Sequence, residues 1–272
     1  MPDLDRDKEL ADGLRATRPD LTKLDIHALF ARARAMVPYV RQTFKGGMFA
    51  STLSSIGPGV LTAICEGLGD ASMAIRLLAG IEVDSAEPPK AMWKLSRTAR
   101  ASKSLTAIFE QGINGLDARL RSSNDADAKV FVAQFDEFLF HYGSRGANEY
   151  EALALTWEVH PDGALAAIDR MRVSDDSQDP ALRRAASVAE RDRLAADIRA
   201  KLAGDAESLG MFEAALRSST VFLSGRERGK TSIIKTIGEI RMAMREVGRQ
   251  QVAAGTLQRV EHIFMLRAEE MD

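Results

Sequence analysis

The chain has 272 residues, of which 45% are hydrophobic, and its 37 Lys+Arg against 39 Asp+Glu leave a formal charge of −2. That length holds one large domain or two small ones, and the near balance of charge excludes the general basic excess of a dedicated nucleic-acid binder, leaving room only for a local basic patch. The lone Cys65, in the apolar stretch 60–65, has no intrachain partner and suits a reducing, cytoplasmic setting; it reads as a small core residue rather than a nucleophile.

The N-terminus, MPDLDRDKEL, is charged and lacks an apolar h-region, so no signal peptide is expected. The apolar runs read as far shorter than the ~20 residues of a membrane span, so neither membrane nor nucleic acid is expected as a partner. Helical periodicity then dominates, with Ala, Leu, Arg, Glu, Met and Lys abundant and alternating β-branched runs rare. Asp25 can cap a helix from Ile26 to about Phe44, with Leu29, Phe30, Ala33, Met36 and Val37 on one face, and Gly46-Gly47 is expected to break it. Short helices follow, punctuated by Gly57-Pro58-Gly59 and by 67–69. Asp70 can start another helix that ends near Gly80, and Glu87-Pro88-Pro89 places proline at a helix start.

Residues 104–120 predict one or two further helices, and 122–125 a loop and N-cap cluster. Phe131, Phe135, Phe138 and Tyr142 recur at helical spacing as one apolar stripe. The polar stretch 173–180 (VSDDSQDP) is the best linker, followed by helices over about 181–202, 207–223 and 228–253. Only 262–266 (HIFML) reads better as a strand. The fold class is therefore all-α, a helical array or bundle with short connections and at most one short strand near the C-terminus.

Two constellations carry candidate chemistry. In 224–230 (SGRERGK), Arg226 and Lys230 open the expected last helix, whose stripe Ile233, Ile237, Ile240, Met244 and Val247 marks the inward face. Lys230 falls close to that face and Arg226 joins it if the helix extends back, while Arg241, Arg245 and Arg249 drift to the flank and Glu239 and Glu246 point away. Cations at a helix N-terminus oppose the dipole and buried charge is costly; a phosphoryl-binding role explains both, as does pairing with Glu227 or snorkelling to water. The second constellation is 142–149 (YGSRGANE), where two glycines bracket Arg145 and allow a tight turn; Arg145 and Glu149 can hold a ligand or each other. His141 stands beside that loop. None of His27, His141, His160 and His262 has metal-ligand spacing with another His or Cys. The segment Gly225–Lys230 is not a P-loop, because its glycines are wrongly spaced and no strand precedes it.

Taken together these segments resemble the central helical domain of phosphoenolpyruvate-synthase-like, rifampicin-phosphotransferase-like enzymes. Residues 138–161 (FLFHYGSRGANEYEALALTWEVHP) are similar to that family's Tyr-Gly-His-Arg-Gly…Glu…Trp…Pro stretch, 226–249 to its Arg-Glu-x-x-Lys helix, and 260–271 to the segment leading into its swivelling domain. The resemblance covers about residues 87–272, which sets a substrate-side domain there and an N-terminal helical subdomain over 1–86. It implies an acceptor-binding component of an ATP-dependent, phosphohistidine-mediated phosphotransferase. Arg226 and Lys230 would serve the transferring phosphoryl group, and Arg145, Glu149, His141 and Arg228 would bind substrate. ATP and Mg would belong to a partner, with no cofactor held by this chain alone. ATP-grasp and phosphohistidine proteins are the implied partners, because neither region is expected before residue 1 or after 272. Ser144 stands where the family has His, so that imidazole is absent or supplied elsewhere. The other reading is a non-catalytic helical ligand-binding or interaction module.

Overall fold

A computed structural model describes residues 2–267 and 270; the far end of the 260–271 segment, residues 268, 269 and 271, lies outside the described residues. The described chain is all-α, with no strand. Its elements are α1 (Pro2–Ala16), α2 (Ile26–Leu53), α3 (Ile56–Gly67), α4 (Met73–Leu77), α5 (Glu87–Ala101), α6 (Lys103–Phe109), α7 (Leu116–Ser122), α8 (Ala126–Tyr142), α9 (Asp162–Arg172), α10 (Pro180–Leu202) and α11 (Ala206–Ala253).

Local chemistry starts these helices as expected. The Asp25 carboxylate accepts from the Ala28 N–H at α2 and Asp125 from Ala128 at α8, each satisfying one of the donors a helix start leaves free. α5 opens on Glu87-Pro88-Pro89, and α10 opens on Asp179-Pro180. The stripe on α8 becomes the centre of the largest core: Phe131 and Phe135 stack 6.2 Å apart, Phe109 of α6 meets Phe131 edge-on at 5.5 Å, and Trp157 lies 5.7 Å from Phe138. A second core gathers Leu61, Cys65, Leu77, Ile198 and Phe212 from α3, α4, α10 and the start of α11. A third joins Leu29 and Ala33 of α2 to Ala243, Met244 and Val247 of α11 and to Ile263.

α11 corrects the expected pair of helices: it is one unbroken rod of 48 residues, roughly 70 Å long at the α-helical rise. α3 packs on its first third, and its mid-section is enclosed by α1, α2 and the connection between α8 and α9. Arg226 and Lys230 therefore sit mid-helix, and the dipole argument made for a helix start does not apply to them. α2 corrects the expected break as well, for it runs through Pro38 and Gly46-Gly47 to Leu53.

The same observation explains both corrections. A Cβ placed on Gly229 would stand 2.5 Å from the Cα of Gly47, and one on Gly57 would meet the Ala215 carbonyl oxygen at 2.7 Å. These glycines are where α2 and α3 press backbone to backbone on α11, so their composition marks crossings, not turns. HIFML is corrected too: Val260–Met265 is a 3-10 turn whose Ile263 is buried against α11.

The charged positions of α11 differ from expectation as well. Glu239 is 1% exposed and receives Arg18 at 2.6 Å and Arg32 at 3.0 Å, while Glu246 is buried and paired with Arg249 at 2.7 Å. Neither points away from the protein. Arg241 is buried, not flanking. A helix enclosed on several sides has no polar face, and its charges are satisfied by partners from other elements. Finally, the stretch Ile26–Gly67 holds an 18-residue window of mean hydropathy 1.4, long and apolar enough by length and composition to cross a membrane. Strict apolar runs in this stretch are short, as expected, because Ser, Thr and Gly interrupt them without making the average polar.

Candidate functional site

The site lies where α2 crosses α11. Positions 226, 230 and 233 recur at i, i+4 and i+7 and so share one face of α11. That face, with Glu227, lines one side of a groove of about 600 Å³; Phe44, Gly47, Met48 and Ser51 of α2 line the other, and Tyr150 also borders it. Gly47 and Gly229 let the two walls approach. Phe44 and Met48 are about half exposed, Ile233 is buried, and the result is a groove with an apolar wall facing a cationic one.

Arg226 is half exposed, and among the described residues its one ion-pair contact is a 3.4 Å approach to the neighbouring Glu227. Lys230 forms an ion pair with Glu149 at 2.8 Å and lies 5.8 Å from the centre of the Tyr150 ring, an arrangement that draws cation to ring face. Tyr150 has its phenol pushed up, first by burial and then by Glu149 and Glu227, against the opposing pull of Lys230 and Arg226.

Tyr150 reaches the groove, and Glu149 reaches Lys230, from the connection between α8 and α9. Within it Gly146 has φ +157, and a Cβ there would meet the Thr156 Cα at 2.9 Å, so glycine is required for the fold-back. The Gly146 N–H donates to the second oxygen of Glu149 at 3.1 Å. Arg145 is buried, donates to the Thr231 hydroxyl at 2.7 Å and stands 3.8 Å from Glu149. Of the two expected alternatives for this pair, a ligand or each other, the structure shows Arg145 and Glu149 as neighbours, with Glu149 also paired to Lys230.

The other expected residues lie elsewhere. Arg228 turns to α1 and pairs with Asp5. His141 is exposed at the end of α8, its ring edge-on to Phe140 at 5.2 Å, and does not line the groove. Ser144, at the position of the family's histidine, is buried. Sequence reasoning does not find Phe44, Met48, Tyr150, Thr231 or Arg241 as site residues. For Phe44, Gly47 and Met48 the signal is an i, i+3, i+4 spacing, hidden because Gly46-Gly47 reads as a helix end. Among the described residues no three of His, Cys, Asp and Glu come together as a metal would need.

Residues 43–227 match the model of the rifampicin phosphotransferase fourth domain. The chain belongs to this family. The match covers more than half of the sequence, takes in Phe44, Arg145, Glu149, Tyr150 and Arg226, and ends before Lys230. Membership in the rifampicin phosphotransferase fourth-domain family makes this chain a helical domain of the phosphoenolpyruvate-utilising enzyme type. No curated protein matches it. The matched span thus takes in the α8–α9 connection and Arg226, and Lys230 lies just beyond it in the same groove.

Proposed function

We propose that this chain is the acceptor-binding component of an ATP-dependent, phosphohistidine-mediated phosphotransferase acting on a small hydroxylated organic molecule. The observation that carries the reading is the placement of Arg226 and Lys230 one turn apart on α11, both facing a groove whose opposite wall is Phe44 and Met48. An acceptor's apolar body suits that wall, and its hydroxyl would then face the two cations.

The donor supplies the phosphoryl group from a separate nucleotide and phosphohistidine component. This chain's part is positional and electrostatic. Arg226 offers a planar fork of N–H donors to phosphoryl oxygens, and Lys230 offers a point charge. Both neutralise charge that spreads over those oxygens during transfer. Glu149 and the Tyr150 ring hold Lys230 in place before any ligand arrives, so little reorganisation accompanies binding.

The test combines the chain with ATP, the nucleotide and phosphohistidine proteins, and a panel of hydroxylated acceptors, following labelled phosphate. Lys230→Ala should abolish product with helix content unchanged. Full activity in that variant would remove the assignment. One observation favours a second reading, a non-catalytic ligand-binding module: both cations already have a carboxylate neighbour. Neighbouring genes for the two partner proteins would support the first reading, and their absence the second.

A further inference from the structure

Among the described residues Arg241 is the largest side chain with under 2% exposure, and no carboxylate lies within ion-pairing reach of it. Its guanidinium is instead wrapped by three backbone carbonyls of the α8–α9 connection. Nη2 donates to the Glu149 and Glu151 oxygens, each at 2.8 Å, and Nε donates to Ala152 at 3.2 Å. Burying a cation against carbonyl dipoles alone is expensive, and burial pushes this guanidinium down to about 10, against the opposing pull of Glu158 and Glu149.

The carbonyls it collects belong to the turn that carries Glu149 and Tyr150, which begins at Asn148 with a positive φ of 55. Asparagine adopts this left-handed conformation more readily than most residues with a side chain, so the turn starts on a residue suited to it. Lys230 and Arg241 thus grip one turn from one rigid helix, the first by the Glu149 carboxylate and the second by the Glu149 carbonyl.

We infer that Arg241 is a positioning residue for the groove: by holding the 149–152 carbonyls it fixes Glu149, and through Glu149 it fixes Lys230. The role assigned to the groove rests on the reading above, but the coupling of Arg241 to Lys230 does not.

The test is therefore made on the chain alone. Wild type, Glu149→Gln, Arg241→Lys and Arg241→Ala are treated briefly with an amine-labelling reagent at fixed pH, and each lysine is quantified by peptide mass spectrometry. Lys235, largely buried and paired with Asp12, reports any general opening of the fold. Glu149→Gln should raise Lys230 labelling severalfold. Both Arg241 variants should raise it by a similar factor with Lys235 unchanged, because one ammonium nitrogen cannot occupy the separate Nε and Nη2 positions of the rigid guanidinium. Combining Glu149→Gln with Arg241→Lys should add nothing further, and methylguanidinium should restore protection to Arg241→Ala. Wild-type labelling of Lys230 in both Arg241 variants overturns the proposal. So does a joint rise at Lys230 and Lys235 with loss of helix content in both, which would make Arg241 a folding residue only. Loss of phosphoryl transfer plays no part in this outcome, so the proposal and the functional reading fail separately.

Discussion

Replacing Gly229 with alanine should destabilise the protein, although alanine is the better helix former. Mid-helix glycine costs about 1 kcal/mol relative to alanine, so propensity alone predicts a gain. Against it, the new methyl would stand 2.5 Å from the Gly47 Cα. The obstacle is backbone on a facing helix, which no rotamer change can move aside, so α2 must shift away from α11. Overpacking of this kind costs ~1–3 kcal/mol; at the upper end, less the propensity gain, the net loss is about 2 kcal/mol.

Gly210 provides the control, since it lies in the same helix with nothing within 4 Å of a new Cβ. Gly210→Ala should gain about 1 kcal/mol. At roughly 2–4 °C per kcal/mol for a chain of this size, calorimetry should show Tm falling by ~4–8 °C in one variant and rising by ~2–4 °C in the other. A Tm for Gly229→Ala equal to or above wild type would refute the close crossing of α2 and α11, and with it the account of how the groove is walled.

Three further outcomes follow from the same structure. Phe135, 1% exposed within the aromatic core, should lose ~3–5 kcal/mol on replacement by alanine, measured by urea unfolding; a loss under 1 kcal/mol would contradict that packing. The Glu158 carboxyl is held below its ordinary 4.5, because Arg18 and Arg15 outweigh a burial that would otherwise raise it. A carboxylate depressed in the folded state stabilises the fold above its unfolded value and loses that contribution as pH falls through the folded one. The stability difference between wild type and Glu158→Gln should therefore be full at neutral pH and shrink below about pH 4.5; a difference independent of pH would refute the pairing. Cys65 has no exposed surface, and burial foremost, with Asp70, pushes its thiol up. It should resist thiol reagents until the chain is unfolded, and rapid native-state labelling would show that α3 does not pack as described.

Much of this protein is written locally. Asp25 and Asp125 mark helix starts because a carboxylate two or three residues ahead of free N–H groups has an immediate task, and the phenylalanines of α8 announce a buried face by spacing alone. The i, i+4 relation of Arg226 and Lys230 likewise puts both cations on one side of a helix, whatever the rest of the chain does. In each case the interacting groups lie within a few turns of one another, where helical geometry is fixed.

Gly47 and Gly229 show where that stops. A glycine in isolation signals a turn, and only the arrival of a helix from far along the chain turns it into a crossing point. The same holds for Glu239, Arg241 and Glu149, whose inward placement depends on α1, α2 and the α8–α9 connection closing around α11 on several sides. A charge pattern with helical periodicity locates solvent only when one side of the helix is left open, and the mid-section of α11 leaves little of any side exposed.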